Sequence, residues 1–259
     1  MEDSDMTTVR STDGTQIAYE VTGTGPAVVF VDAAGAYRDF NSQRPLADLL
    51  AKDGFTTYTY DRRGRGQSTD ADSYQVEREI EDLAAVIAEA GGQAFVYGWS
   101  SGALLAMRAA AAGLPITKLA LFEPPYGSDE AHDDETLAKL KALVAEDRRG
   151  EVVDLFHTAI GVPAEILAQM EPIKPLMEAI APTYVYDWNV AASTTMQHIS
   201  SVPVPTFVLD STGTGQEMND GVDEIVKALP HSTHKRLDGE WHGLPAEVLA
   251  PELAGFYKL

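Results

Sequence analysis

At 259 residues, with 44% apolar and 23% charged residues, the chain has a globular balance that excludes disorder and collagen-like repeats. A domain of this size removes roughly 70–75% of its unfolded surface from water. The absence of cysteine excludes a disulfide framework, an iron–sulfur site and any Cys-based zinc knuckle, and the net charge of −21 argues against nucleic-acid or anionic-membrane partners.

The acidic start, Met1-Glu2-Asp3-Ser4-Asp5, is followed by no apolar stretch of the kind a secretory leader needs, so a cytoplasmic protein is expected. Asp13-Gly14, between Thr7–Arg10 and Thr15–Tyr19, is a hairpin signal. Strand-like and helix-like stretches then alternate. Pro26–Val31 is a continuous apolar run, as expected of a strand buried on both faces. Phe55–Tyr60, Ala94–Tyr97, Ile116–Phe122, Pro205–Leu209 and the short His234–Leu237 read the same way. Val76, Ile80, Leu83 and Ile87 form one stripe of a helix ending at Gly91-Gly92. Leu104–Ala112 continues a helix from Ser100, where Arg108 interrupts the most apolar stretch, and Ala246–Phe256 is a further amphipathic segment. This order predicts a mainly parallel sheet with helices on both sides and an antiparallel hairpin at one edge.

Between Tyr126 and about Ile199 the rhythm breaks. Helix-like pieces (135–145, 151–160, 164–170 and 172–180), punctuated by Pro163, Pro172, Pro175 and Pro182, replace the strands. About seventy residues is too long for a loop, and a helical cap over residues 126–199 of a single domain (1–259) is expected. The acidic clusters Asp129-Glu130 with Asp133-Asp134-Glu135, and Asp220 with Asp223-Glu224, are expected to form solvated faces.

Gly98-Trp99-Ser100-Ser101-Gly102 follows an apolar strand and opens a helix, the context of a nucleophile elbow. Small residues at both ends permit a sharp strand-to-helix turn that thrusts the Ser100 hydroxyl outward. The helix N-terminus supplies unpaired N–H groups to a developing oxyanion. Four carboxylates end strand-like runs: Asp32, Asp61, Glu123 and Asp210. A carboxylate after a run as apolar as Leu119–Phe122 is costly unless paired, which makes Glu123 a partner for an imidazolium. Pro124-Pro125 predicts an extended backbone for it.

On Gly98–Gly102 and on Tyr60-Asp61-Arg62-Arg63-Gly64-Arg65-Gly66-Gln67-Ser68, the chain resembles the α/β-hydrolase superfamily over essentially its full length. The resemblance implies a mostly parallel eight-stranded sheet flanked by helices, with a helical cap inserted after strand six. The 60–68 stretch reads as a structural loop held by Asp–Arg pairing and glycine geometry. Of the six histidines, His132, His157, His198, His231, His234 and His242, only His242 lies between the last strand and the last helix, where the family's general base sits. The usual acid follows the strand ending at Leu209, but Thr214 stands about there; Asp210 is the alternative acid. Phe122-Glu123-Pro124-Pro125 is similar to members such as zearalenone lactonase that carry a Glu after the preceding strand, and Glu123 is the favoured acid. The oxyanion hole implied is the N–H of Ser101 and that of Ala34, in Asp32-Ala33-Ala34-Gly35, where Asp32 replaces the family's usual His. Asp32, Trp99, Tyr126, Tyr186 and Trp188 are candidate substrate contacts. No cofactor and no metal are implied: Gly213-Thr214-Gly215 lacks the third glycine of a dinucleotide loop, and there is no Walker loop and no H-E-x-x-H.

The expected activity is hydrolysis of a carboxylic ester or lactone of a small, neutral, partly apolar molecule through an acyl-enzyme. Perhydrolysis, C–C bond cleavage or lyase chemistry on the same residues, and a small-molecule receptor with vestigial activity, are the rival readings.

Overall fold

The Asp13-Gly14 turn opens the computed structural model, which describes residues 7–126 and 133–259. Gly14 N donates to Ser11 O at 2.9 Å and Ser11 N to Thr15 O at 2.8 Å, joining β1 (Thr8–Arg10) to β2 (Gln16–Gly23) as an antiparallel pair. Alternation follows: β3 (Ala27–Val31), α1 (Arg44–Lys52), β4 (Thr56–Tyr60), α2 (Val76–Glu89), β5 (Ala94–Trp99), α3 (Ser101–Ala111) and β6 (Ile116–Phe122). Six helices come next among the described residues: α4 (Asp134–Ala145), α5 (Arg149–Ala159), α6 (Ala164–Met170), α7 (Lys174–Glu178), α8 (Tyr184–Ser193) and α9 (Met196–Ser200). The chain closes with β7 (Thr206–Ser211), α10 (Gln216–Ala228), β8 (Ser232–Leu237) and α11 (Ala246–Lys258).

The eight strands form one sheet in the order β1-β2-β4-β3-β5-β6-β7-β8. Pairing is parallel from β4 to β8, and antiparallel only at β1–β2 and β2–β4. Side chains of the parallel strands divide between the two faces with period two. Val29, Val31, Val96, Leu119, Leu121 and Val208 pack with α2, α3 and α10. Val28, Phe30, Tyr97, Ala120, Phe122 and Leu209 pack with α1 and α11. Both faces are apolar because both are covered, and crossover helices cover them.

Two connecting helices, α1 and α10, are not among the elements expected from the pattern. Each buries only a short stripe, Leu46, Ala47 and Leu50 in α1, and Val222 and Ile225 in α10. The segment from Pro172 to Ile180 is not one helix but a 3₁₀ turn (Glu171–Ile173) followed by α7, because proline at 172 and 175 interrupts the hydrogen-bond ladder. Among the described residues between β6 and β7 there is no strand. The helices there build their own core of Leu140, Val152, Phe156, Met177, Tyr184 and Trp188, against which Ala34 packs. His132 and Asp129-Glu130 lie outside the described residues, as do residues 1–6.

Candidate active site

β5 ends at Trp99, and α3 begins one residue after Ser100, so the chain reverses at the serine. A Cβ on Gly98 would stand 2.6 Å from Ala103 Cα, and one on Gly102 would stand 2.2 Å from Val31 O. Only glycine fits on either side, because strand and helix pack too closely for a side chain. Ser100 N donates to Phe122 O at 2.9 Å, which ties the turn to the neighbouring strand. Ser100 is left at φ 54° and ψ −125°.

β6 ends on the adjacent edge position, and Glu123 follows it, fully buried. Its backbone is not extended. Glu123 has φ 45°, although proline follows. The reason lies in what its side chain reaches. Oε1 accepts from Ser211 N at 2.8 Å and from Thr214 Oγ1, while Oε2 meets His242 Nδ1 at 2.5 Å. Because a carboxylate only accepts, Nδ1 carries the hydrogen, and Nε2 of the neutral ring is left as an acceptor. His242 itself has φ 50°, and its N–H donates to Thr214 Oγ1 at 3.1 Å. Thr214 therefore bonds both the carboxylate and the histidine backbone. The ring lies 5.9 Å from Trp99 and 6.4 Å from Phe122 between centroids, over the ends of β5 and β6.

Non-glycine residues at positive φ are uncommon. Among the described residues they are Asn41, Ser100, Glu123, Asp147 and His242. Asn and Asp enter this region readily, so Ser100, Glu123 and His242 are the three that require external restraint. Strain of this kind costs of order 1–3 kcal/mol per residue and persists where surrounding contacts over-determine it. Here those contacts are the Glu123 and Thr214 hydrogen bonds for Glu123 and His242, and for Ser100 the bond of its N–H to Phe122 O. No hydrogen bond joins Ser100 Oγ to His242 among the described residues, and catalytic contacts of this type often tighten only when substrate is bound.

Asp210, the alternative acid, is equally buried but is directed to β8. Oδ1 meets His234 Nε2 at 2.9 Å, and Oδ2 accepts from Arg236 Nε at 2.7 Å. It has no bond to His242. Asp32 is also engaged: Oδ1 accepts from Gln43 N at 3.0 Å, at the start of α1. Burial pushes its carboxyl up to about 6, against the opposing effects of Gln43 and the nearby arginines. Its carboxylate serves the backbone rather than an open substrate position.

The aromatic candidates separate. Trp99 lies against His242, and its indole N–H is buried without a partner among the described residues. Trp188 is instead part of the core of the helical insertion, with Nε1 donating to Asp133 O at 3.3 Å. Tyr186 stacks on Tyr74 at 3.9 Å and donates to Asp70 Oδ2 at 2.8 Å, beside the arginine loop. Tyr126 packs on the α3 face of the sheet, and its carbonyl O would stand 1.9 Å from a Cβ at Gly221. The structure thus brings Trp99, but not Tyr186 or Trp188, to the histidine.

The 60–68 loop is held by Asp–Arg pairing whose partners lie outside the loop. Asp61 accepts from Arg38 N at 2.8 Å, Arg38 Nη2 at 3.1 Å and Gln67 N at 2.9 Å. Arg62, Arg63 and Arg65 are each 1% exposed and turn inward. Arg62 binds Glu79 through two bonds of 2.6 and 2.8 Å, and Arg63 binds Asp82 through two of 2.7 and 2.8 Å. Asp187, on α8, joins Arg62 and Arg65 and is a residue that sequence reasoning missed. A buried loop with three arginines requires distant carboxylates, but no local spacing says which ones. Among the described residues no group of three or more His, Asp or Glu is arranged to hold a metal ion, and none of their helices is long and apolar enough to cross a membrane.

A model of the alpha/beta hydrolase family matches residues 28–253. The crystal structure of an alpha/beta hydrolase from Sphaerobacter thermophilus is 44% identical, with a TM-score of 0.90 over 97% of this chain and 100% of that one. The enol-lactonase from Burkholderia xenovorans shares the fold at 16% identity, with a TM-score of 0.75 over 98% of this chain and 100% of that one. An uncharacterized hydrolase of Bacillus subtilis, YraK, is 35% identical over 98 residues, 36% of this chain. That match spans only 35% of the curated relative's length.

Proposed function

Because this chain belongs to the alpha/beta hydrolase family, we propose that it is a serine hydrolase cleaving a carboxylic ester or lactone of a small, neutral, partly apolar molecule in the cytoplasm. The observation that carries the reading is the 2.5 Å contact of Glu123 Oε2 with His242 Nδ1, at the sheet edge where Ser100 sits in a strained turn. Serine is a weak nucleophile without a base. His242 Nε2, left unprotonated by the Glu123 contact, takes the Ser100 proton as Oγ attacks the carbonyl carbon. Glu123 holds the ring in that tautomer and stabilises its charged form. The N–H groups of Ser101 and Ala34 receive the tetrahedral oxyanion.

Collapse of that intermediate breaks the C–O bond, and His242 returns the proton to the departing alkoxide. In a lactone the alcohol stays on the acyl chain. Water, deprotonated by the same nitrogen, then attacks the acyl-enzyme and releases the acid and Ser100. Trp99, beside the nucleophile, forms the apolar wall for the acyl group, and the helices between β6 and β7 act as the cap. The enol-lactonase that shares the fold is in keeping with this bond class.

The test is labelling with a 4-nitrophenyl alkylphosphonate, together with a panel of esters and lactones of increasing acyl size. One phosphonyl group per chain is expected on Ser100, with none in Ser100→Ala, and at least one panel member is turned over. A protein that is not labelled and turns over no panel member is a receptor or uses another mechanism, and the proposal is wrong.

A further inference from the structure

Asp187 lies on α8, within the helical insertion, and is 1% exposed. Oδ1 accepts from Ser101 Oγ at 2.7 Å and from Arg62 Nη1 at 2.7 Å; Oδ2 accepts from Arg65 Nη2 at 2.6 Å. The arginines pass this anchorage on to the turn after β3. Arg65 Nη1 donates to Ala33 O at 2.6 Å and to Ala36 O at 3.2 Å, and Arg62 Nη1 donates to Asp32 O at 3.2 Å. Three carbonyls bracketing Ala34 are thereby held by two guanidiniums that share one carboxylate. The same carboxylate holds the side chain of Ser101 directly. Tyr184, one helical turn before Trp188, presses its hydroxyl on this turn from above, 2.6 Å from where a Gly35 Cβ would stand.

From this arrangement we infer that Asp187 is a positioning residue for the oxyanion hole: from the insertion, it sets the spacing and aim of the Ser101 and Ala34 N–H groups. The inference rests on the serine-hydrolase reading above. Asp187 touches neither nucleophile nor base, so it acts only through the two backbone segments that supply the donors. The two donors come from different elements, α3 and the β3–α1 turn, which meet in backbone packing where Gly102 faces the Val31 and Asp32 carbonyls. One buried carboxylate, bonded to Ser101 directly and to the turn through Arg62 and Arg65, adds the side-chain restraint that aims the two N–H groups. Its own charge is compensated. Burial would raise its pKa, but Arg65 and Arg62 outweigh burial and keep the carboxyl below its ordinary range. The negative charge therefore faces two cations and does not oppose the oxyanion. A displacement of about 1 Å in such a site costs about 10²-fold in rate.

The experiment is phosphonylation kinetics with the 4-nitrophenyl alkylphosphonate on the full chain, comparing wild type with Asp187→Asn and Ser101→Ala. Ser101→Ala keeps the backbone N–H and removes only the hydroxyl that binds Asp187. Stoichiometry counts competent sites, the limiting rate constant reports stabilisation of the pentacoordinate phosphorus, and the half-saturating concentration reports ground-state binding. For Asp187→Asn the expected result is one label per chain, a limiting rate lowered about 10²-fold and half-saturation within about threefold. Ser101→Ala, which keeps the bonds of Asp187 to Arg62 and Arg65, is expected to lose about tenfold in the same constant. If the sites that remain competent in Asp187→Asn react within twofold of wild type, Asp187 is only a structural anchor and the inference is wrong. If Asp187→Asn fails to fold, Ser101→Ala decides by the same twofold criterion. A wild-type protein with no labelling at all overturns the acyl-enzyme reading itself, and this inference with it.

Discussion

Glu123 and Arg63 are both charged residues almost completely removed from water, yet their surroundings differ in kind. Arg63 spends its donors on a bidentate Asp82, on Asp13 at 2.9 Å and on Arg78 O at 3.1 Å. Its backbone is not among the strained positions. Glu123 sits at positive φ, as do Ser100 and His242, and directs one oxygen at an imidazole whose other nitrogen makes no hydrogen bond among the described residues. Arg63 is satisfied and relaxed, whereas the Glu123–His242 corner is strained and, among the described residues, leaves one ring nitrogen without a hydrogen bond. A group kept for chemistry must remain unsatisfied until substrate arrives, and one kept for structure must not.

Substitutions that separate turnover from stability test this contrast. The largest effect is expected at the Glu123–His242 corner. Glu123→Gln should lower turnover by about 10⁴-fold, the scale of a triad carboxylate-to-amide change, while circular dichroism remains native. Asp210→Asn, in the pair with His234 and Arg236, should stay within about threefold of wild type, because it acts on rate only indirectly. If Asp210→Asn collapses turnover and Glu123→Gln does not, the assignment of the acid is reversed.

Arg63→Met should show the opposite signature. It strands the buried Asp82, and urea unfolding should show a loss of about 3–5 kcal/mol. The limiting phosphonylation rate per competent site should be unchanged. A lower rate per site would mean that this part of the loop also shapes the site, and would erase the distinction between the two regions.

The smallest effect is expected at Asp32, where the carboxyl is pushed up to about 6 from its ordinary 3.8, first by burial. Between those values the unfolded chain has lost its proton and the folded chain keeps it, so this residue lowers stability as pH rises. The full cost, reached above about pH 6, is about 3 kcal/mol. Asp32→Asn keeps an oxygen for the Gln43 N–H and cannot ionise. Its melting temperature should match wild type near pH 4 and exceed it by a few degrees at pH 8. Equal melting temperatures at both pH values would show that Asp32 ionises in the folded protein without cost.

Much of the fold was legible in particular residues. Apolar runs such as Ala27–Val31 and Ile116–Phe122 read as strands because a sheet covered on both faces needs apolar side chains on both. The Ser100 turn was legible because two glycines flank it at the only spacing that lets strand and helix meet. Helices that bury only two or three apolar side chains, α1 and α10, were not, since a stripe that brief cannot be told from a loop. Glu123 was favoured on its apolar strand and its resemblance to related sequences, but its left-handed backbone was not foreseen. The preference before proline is local and weaker than the bonds from Ser211, Thr214 and His242.

The sequence by itself determined the alternation of strand and helix, the position of the turn at Ser100, and a short list of carboxylates and histidines able to serve it. Those features depend on neighbours within a few residues or on side-chain period, both of which are written along the chain. Tertiary structure alone decided that Glu123 rather than Asp210 meets His242, that Thr214 bonds both, and that Asp187 joins Ser101 to Arg62 and Arg65. Such contacts join residues 28 to 125 positions apart. Their formation depends on which strand edges and helix faces the packed sheet brings together, and burial, which makes each unpaired charge costly, then selects the partner.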